Sequence, residues 1–195
     1  MLNYPLELSF KILALNPQVQ VTDSSGSLVL YVKQRFLALR EDVKIFADSA
    51  QSRQIYQVRA DRVIDWSAKY NISRVSGEAI GQIRRKGARS IFKAFYEIFD
   101  ASGAQVGALH EENAWVRFFD GLFSGIPILG IFSGYVFHPV YHVDINGKRK
   151  LSLRKKPSFF ESRFTIEKTA EFGETEESLL ISGIIMALML ERARG

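Results

Sequence analysis

The amino-acid sequence predicts a mainly β protein, in which ten to twelve short antiparallel strands are followed by one buried helix. Three observations predict this class. Aromatic residues make up 12% of the 195 residues, a proportion that favours strands. Turns rich in Asp, Ser and Gly recur about every 26 residues. A run without charge, Ser178–Leu190, lies near the end of the sequence. The length suits one domain over residues 1–195 with a single core.

The first strand is predicted over Leu6–Ile12, where apolar side chains alternate with polar ones. The apolar stretch is interrupted and lacks the basic start of a secretory signal, which predicts a cytoplasmic protein. The sequence contains no cysteine, so disulfides, thiolate metal sites and cysteine nucleophiles are excluded.

A series of turns divides the following residues into hairpins. Glycine accepts a positive φ, and Asp or Ser side chains bond the backbone just ahead of them, so these segments favour tight turns. Strand-like apolar runs flank each turn. So many consecutive antiparallel strands must close into a barrel or pack as a sandwich, because an open sheet leaves exposed edges. The turns are Asp23–Gly26, Asp48–Ala50, Val75–Gly77, Asp100–Gly103 and Asp144–Gly147.

The run Ser178–Leu190 predicts a helix at about residues 175–192, preceded by acidic residues and followed by arginines. Wrapped at 3.6 residues per turn, it is apolar on every face and must be surrounded on all sides. It is shorter than the roughly 20 apolar residues of a membrane span. We therefore expect it to thread the middle of a barrel, where Ser182, Gly183 and Ala187 allow strands to approach closely.

This combination resembles the tubby-like superfamily, which includes the LURP-one-related proteins and the phospholipid scramblases. The resemblance implies a closed antiparallel barrel of about twelve strands around a buried hydrophobic C-terminal helix. It also implies binding of phosphoinositide headgroups through basic residues, as in some members. The palmitoylated cysteines, proline-rich arm and acidic calcium loop of the scramblases are absent from the sequence. The resemblance is carried by the turns Asp23–Gly26 and Asp100–Gly103, the hairpin ladder, the run Ser178–Leu190, and Trp66 followed by Tyr70–Ile72 and Gly77–Gly81.

Two clusters of basic residues are the candidate headgroup-binding sites. Each lies in a window without acidic residues, Ala79–Tyr96 and Ile145–Phe160, in a chain of net charge +5. Such clusters attract anionic membrane surfaces, and Phe159 and Phe160 are suited to the interface. The alternative is that Lys and Arg at hairpin tips and on solvent-facing strands protect sheet edges. Charge alone also attracts nucleic acid, which we rank below lipid. The clusters are Arg84, Arg85, Lys86, Arg89 and Lys93, and Lys148, Arg149, Lys150, Arg154, Lys155 and Lys156.

The uncharged stretch Gly121–Val143 has three interpretations: a buried connection with a strand at Ile131–Phe137, a membrane-dipping loop, or a lid over an apolar pocket. Pro127, Pro139 and several glycines disfavour a transmembrane helix there. We predict no membrane span.

No metal, cofactor or catalytic site is predicted. His138 and His142 would lie about 13 Å apart along a strand, too far to share an ion. Glu111 and Glu112 are adjacent in a strand and point to opposite faces. The sequence therefore predicts a non-enzymatic, peripheral lipid-binding module. The alternatives are a structural or protein-interaction barrel without a lipid ligand and a carrier of an apolar ligand.

Overall fold

The computed structural model describes residues 1–11, 18–33, 42–61, 68–86, 94–112, 140–157 and 161–192. Several residues singled out from the sequence lie outside these ranges. They are Trp66, Arg89, Lys93, the segment 121–139 with its predicted strand and His138, Phe159 and Phe160.

The described residues form twelve strands and one helix. The strands are short and alternate between buried and more exposed side chains, as in β1, where Leu6, Leu8 and Phe10 point inward. The elements are β1 (Leu6–Lys11), β2 (Gln18–Thr22), β3 (Leu28–Lys33), β4 (Asp42–Phe46), β5 (Gln54–Ala60), β6 (Lys69–Arg74), β7 (Ala79–Arg85), β8 (Phe95–Asp100), β9 (Gln105–Glu111), β10 (Val140–Ile145), β11 (Lys148–Lys156), β12 (Glu161–Lys168) and α1 (Glu174–Arg192).

The strands form a closed antiparallel barrel in which each strand pairs with its neighbours in sequence. Closure comes from β1 and β12, which pair from Leu6 opposite Ile166 to Lys11 opposite Glu161. The predicted closed antiparallel barrel of about twelve strands is therefore confirmed, and the sandwich alternative is wrong. Because the sheet closes on itself, each described strand has a neighbour on both sides, and the shortest pairing is that of β3 with β4, at Tyr31 opposite Phe46.

The predicted turns connect the strands as hairpins. The Asp23 carboxylate accepts hydrogen bonds from the backbone N–H groups of Ser25 and Ser27 at 2.9 and 3.0 Å, and Gly26 has a φ of 81°. Asp100 repeats this pattern three hairpins later, with Gly103 at a φ of 84°. The hydroxyl groups of Ser25 and Ser102 also donate to these carboxylates, each at 2.6 Å. These hydroxyl hydrogen bonds, followed by those from the backbone, hold the pKa of both aspartates below its ordinary value.

The barrel has two different ends. The tight turns that the structure describes, from Asp23–Gly26 to Asn146–Gly147, lie at one end, which we call the turn end. At the opposite end, which we call the loop end, the ends of consecutive strands are separated in the sequence by segments outside the described residues, 12–17, 34–41, 62–67, 87–93, 113–139 and 158–160. The end at which each strand finishes therefore decides where its terminal charges lie.

The interior of the barrel is occupied by α1, and every residue from Glu177 to Met189 is buried. The predicted central helix is therefore confirmed. Gly183 faces β7, where a Cβ built on it would lie 3.1 Å from Ile83 Cγ2, so a small residue permits this contact. Since the helix fills the interior, the fold disfavours a carrier of a large apolar ligand. Along the described ranges, no helix has both the length and the apolar character needed to cross a bilayer.

Polar contacts hold α1 at both ends of the barrel. At the turn end, the buried Glu177 carboxylate accepts the backbone N–H of Leu2 at 3.1 Å. At the loop end, the Glu191 carboxylate accepts the Tyr96 hydroxyl at 2.7 Å and lies 3.2 Å from Arg85 Nε. The helix therefore runs from the turn end to the loop end along the barrel.

Candidate anion-binding surface

The first basic cluster lies where β7 ends, at the loop end of the barrel, and two of its cations share one acidic partner. Arg84 donates to the Glu97 carboxylate at 2.6 Å, and Lys86 donates to it at 2.9 Å. Glu97 is only 4% exposed. Burial alone would raise the pKa of this carboxyl, but the hydrogen bonds from Lys86 and Arg84 outweigh it and lower the pKa. One negative charge is therefore set against two positive charges at this place.

Arg85 has a different role from its neighbours because successive strand residues alternate in direction. Its side chain points into the barrel, is 9% exposed, and pairs with Glu191 of α1. It supports the helix rather than presenting a charge on the outer surface. Arg89 and Lys93, the remaining residues of this cluster, belong to the segment that joins β7 to β8 at the loop end and lie outside the described residues.

The residues of the second cluster lie along β11, and the extended strand distributes them between the two ends of the barrel. From Lys148 to Lys156 the strand rises about 3.4 Å per residue over eight residues, or about 27 Å in all. At the turn end, Lys150 Nζ lies 3.4 Å from Glu176 and donates to the Glu171 carbonyl at 2.7 Å. Arg149 lies 3.4 Å from Asp144. Lys148 and Arg149 are both exposed there, and Lys148 has no acidic partner among the described residues.

At the loop end of β11, Arg154 and Lys156 lie on the outer surface, and Lys155 is half-buried. Arg154 has no acidic partner among the described residues, whereas Lys156 donates to Glu7 of β1 at 2.6 Å. The structure thus brings Arg84, Lys86, Arg154 and Lys156 to the loop end and leaves Lys148–Lys150 at the turn end.

A groove of about 530 Å³ runs along the outer wall near the loop end, across β2, β1, β12 and β11. Strand pairing creates it, because Ser9 lies opposite both Gln20 and Arg163, and Arg163 lies opposite Lys156. The lining is polar apart from Leu8. It consists of Glu7, Leu8, Ser9, Lys11, Gln20, Thr22, Lys156 and Arg163.

Lys11 and Arg163 are not among the candidate site residues predicted from the sequence. Each is a single cation in a mixed segment, so no window of charge marks it. The signal that could have found them is strand alternation. Lys11 comes directly after the inward-pointing Phe10, and Arg163 comes directly before the inward-pointing Phe164. Because successive side chains of a strand alternate in direction, Lys11 and Arg163 point outward. Pairing of β12 with β11 then places Arg163 opposite Lys156, and pairing of β1 with β12 brings Lys11 into the same groove.

Two histidines face each other across β9 and β10, with ring centroids 6.0 Å apart. His110 Nε2 lies 2.9 Å from Asp144, and His142 Nε2 lies 3.3 Å from Glu112. Burial raises the pKa of Asp144, but His110 and Arg149 outweigh it and lower the pKa. Within the described ranges, no group of three or more His, Asp or Glu side chains is placed to hold a metal ion.

Comparisons with known proteins agree with the fold. A family model described as LURP-one-related matches residues 28–186, which agrees with the tubby-like resemblance. The X-ray structure of a protein from Arabidopsis thaliana is similar in fold, with a TM-score of 0.50 and 11% sequence identity. The match covers 96% of this chain and 91% of that one. No curated protein sequence matches the chain.

Proposed function

This chain belongs to the LURP-one-related family, and we propose that it is a non-enzymatic module that binds anionic lipid headgroups at the cytoplasmic surface of a membrane. The closed barrel with a central helix is consistent with a lipid-binding module. The proposal concerns the outer surface, because α1 occupies the interior.

The observation that carries the proposal is the distribution of positive charge between the two ends of the barrel. The exposed Arg154 and Lys156 and the pair Arg84 and Lys86 lie at the loop end. The connection that contains Arg89 and Lys93 starts and finishes there. Each basic residue near an anionic membrane contributes about 1 kcal/mol, so several at one end provide substantial attraction.

The arrangement of the strands also supports the loop end as the membrane-facing end. In the sequence, Phe159 and Phe160 follow Lys156, which ends β11 at this end, and the uncharged stretch 121–139 precedes β10, which starts there. Aromatic and apolar residues that adjoin basic ones in the sequence match the requirements of a membrane interface, where a charged headgroup layer covers an apolar region. At the turn end, Arg149 and Lys150 each have an acidic partner of their own. At the loop end, Lys156 pairs with Glu7, but Arg84 and Lys86 share the single carboxylate of Glu97. Arg154 has no acidic partner there among the described residues.

Edge protection no longer explains the outward-facing cations. Lys and Arg on strands commonly prevent the pairing of open sheet edges. This barrel is closed by β1 and β12, so β11 and β12 have a neighbour on each side. Edge protection therefore does not account for the cations of these strands, whereas attraction of an anionic surface is consistent with them.

The test is flotation of the full chain with phosphatidylcholine vesicles, with and without phosphatidylserine, at low and high salt. We expect flotation only with the anionic vesicles, and we expect it to weaken as salt shortens the Debye length from about 10 Å at 0.1 M. Flotation with neither vesicle type would contradict the proposal, and so would equal flotation with both.

A matched pair of variants locates the surface. Arg154 and Lys148 are both exposed residues of β11 without an acidic partner among the described residues, and they lie near opposite ends of that strand. Arg154→Glu should weaken binding to anionic vesicles by about fivefold or more, since a reversal removes attraction and adds repulsion. Lys148→Glu makes the same charge change at the turn end and should leave binding nearly unchanged. Equal losses would contradict the choice of the loop end.

A further inference from the structure

We infer that the outer-wall groove across β2, β1, β12 and β11 is the site that holds the phosphorylated headgroup, and that Glu7 occupies part of it as an internal competing anion. The inference rests on the proposed function and adds to it a location, a ligand chemistry and a residue that limits affinity. The volume of the groove, about 530 Å³, lies within the range of about 300–1,000 Å³ for small-molecule sites.

The chemistry of the lining selects a polar anion. Among the lining side chains that the structure describes, Lys11, Lys156 and Arg163 carry three positive charges and Glu7 carries one negative charge. Ser9, Gln20 and Thr22 add hydroxyl and amide groups that bind phosphate or sugar oxygens. Arginine offers a planar pair of donors to phosphate, and lysine offers a compact charge. An apolar ligand would gain little in such a groove.

Glu7 shows where an oxygen of the ligand would lie. Its Oε1 atom accepts hydrogen bonds from Lys156 Nζ at 2.6 Å and from Thr165 Oγ1 at 2.9 Å. One anionic oxygen therefore already meets an ammonium group and a hydroxyl group from two neighbouring strands. A phosphate oxygen requires the same donors, so a bound headgroup would compete with Glu7 for Lys156.

The position of the groove agrees with a ligand that is attached to a membrane. Lys11 ends β1 and Lys156 ends β11, so the cationic end of the groove lies at the loop end. Glu7 and Thr22 lie farther toward the turn end. A headgroup can thus enter from the membrane-facing end while its lipid tails remain in the bilayer.

The test measures binding of soluble inositol 1,4,5-trisphosphate to the full chain by isothermal titration calorimetry, separately from vesicle flotation. Glu7→Gln removes the competing charge and keeps the side-chain size, and should tighten binding on the order of tenfold. Lys156→Gln and Arg163→Gln should each weaken it by a similar factor. Lys148→Gln, a lysine-to-glutamine change at the turn end, is the control and should have no effect. Circular dichroism confirms that each variant is folded.

The outcomes separate the groove from the general membrane interaction. One-to-one binding that tightens in Glu7→Gln and weakens in Lys156→Gln supports the groove. The inference is overturned if neither the unaltered chain nor Glu7→Gln binds the soluble headgroup, or if the groove variants bind it as tightly as the control. If the unaltered chain still floats with phosphatidylserine vesicles in that case, the proposed function stands without this site. If the soluble headgroup binds but no vesicle does, the groove stands and the membrane role fails.

Discussion

Replacing Ile184 tests whether α1 is the core of the barrel. Ile184 lies in the middle of the helix and is 1% exposed, so almost the whole side chain is removed from water on folding. Changing isoleucine to alanine removes three carbon groups at about 0.8 kcal/mol each, or about 2.4 kcal/mol of transfer free energy. The cavity left behind adds to this, for a total loss of about 3–4 kcal/mol in the free energy of unfolding.

The assay is equilibrium unfolding in urea, followed by far-ultraviolet circular dichroism. With a denaturant slope of about 2 kcal/mol per molar, the midpoint should fall by about 1.5–2 M while the slope stays the same. Val75→Ala is the control, because Val75 is 57% exposed in a turn and its loss should change stability by less than about 0.5 kcal/mol.

A loss of less than about 1 kcal/mol in Ile184→Ala would refute the reasoning, since a fully buried isoleucine in a packed core costs more. A more severe change gives a second measurement. Ile184→Asp would place a carboxylate among apolar side chains and should abolish soluble expression. A folded, soluble Ile184→Asp protein would show that the barrel does not depend on its central helix.

Two further predictions concern the strands. Glu97→Gln should lower stability by about 1–2 kcal/mol at neutral pH, an amount limited by the partial exposure of Arg84 and Lys86. The folded-state pKa of Glu97 is lowered, so its contribution to the free energy of unfolding is full above the ordinary glutamate pKa and is lost as pH falls below about 4. Denaturation at several pH values should therefore show the stabilities of the two proteins converging in acid. A stability difference that stays constant with pH would contradict the assignment. Gly107→Ala should lower stability by about 1–3 kcal/mol, because a Cβ there would overlap the Asp144 carbonyl oxygen and lie 2.5 Å from Ile145 Cδ1. Thermal unfolding measures this, and a melting temperature equal to that of the unaltered chain would contradict it.

The elements of the fold could be predicted because each leaves a local pattern in the sequence. Alternation marks β1, Asp and Gly mark the hairpin turns, and a run of apolar residues marks α1. The burial of α1 could also be predicted, since a helix that is apolar on all faces has to be enclosed. These patterns depend on neighbouring residues and need no knowledge of the tertiary structure.

The candidate site was harder to predict because it depends on contacts between distant residues. Lys148 and Lys156 belong to one charged window, yet the rise of an extended strand carries them toward opposite ends. Lys11 and Lys156 are far apart in sequence, yet closure of the barrel brings them to one groove. Arg84 and Arg85 are neighbours, but one pairs with Glu97 and the other with Glu191. Counting charge along the sequence does not reveal these differences.

The order of the elements along the chain has a consequence for folding. The helix that fills the barrel follows all twelve strands, and the closing pair joins β1 to β12 across most of the sequence. During synthesis, the inward faces of the early strands therefore emerge before the segment that covers them. Long-range pairing of this kind slows folding and prolongs the exposure of apolar strands. The nascent chain should thus depend on protection from aggregation until α1 is released.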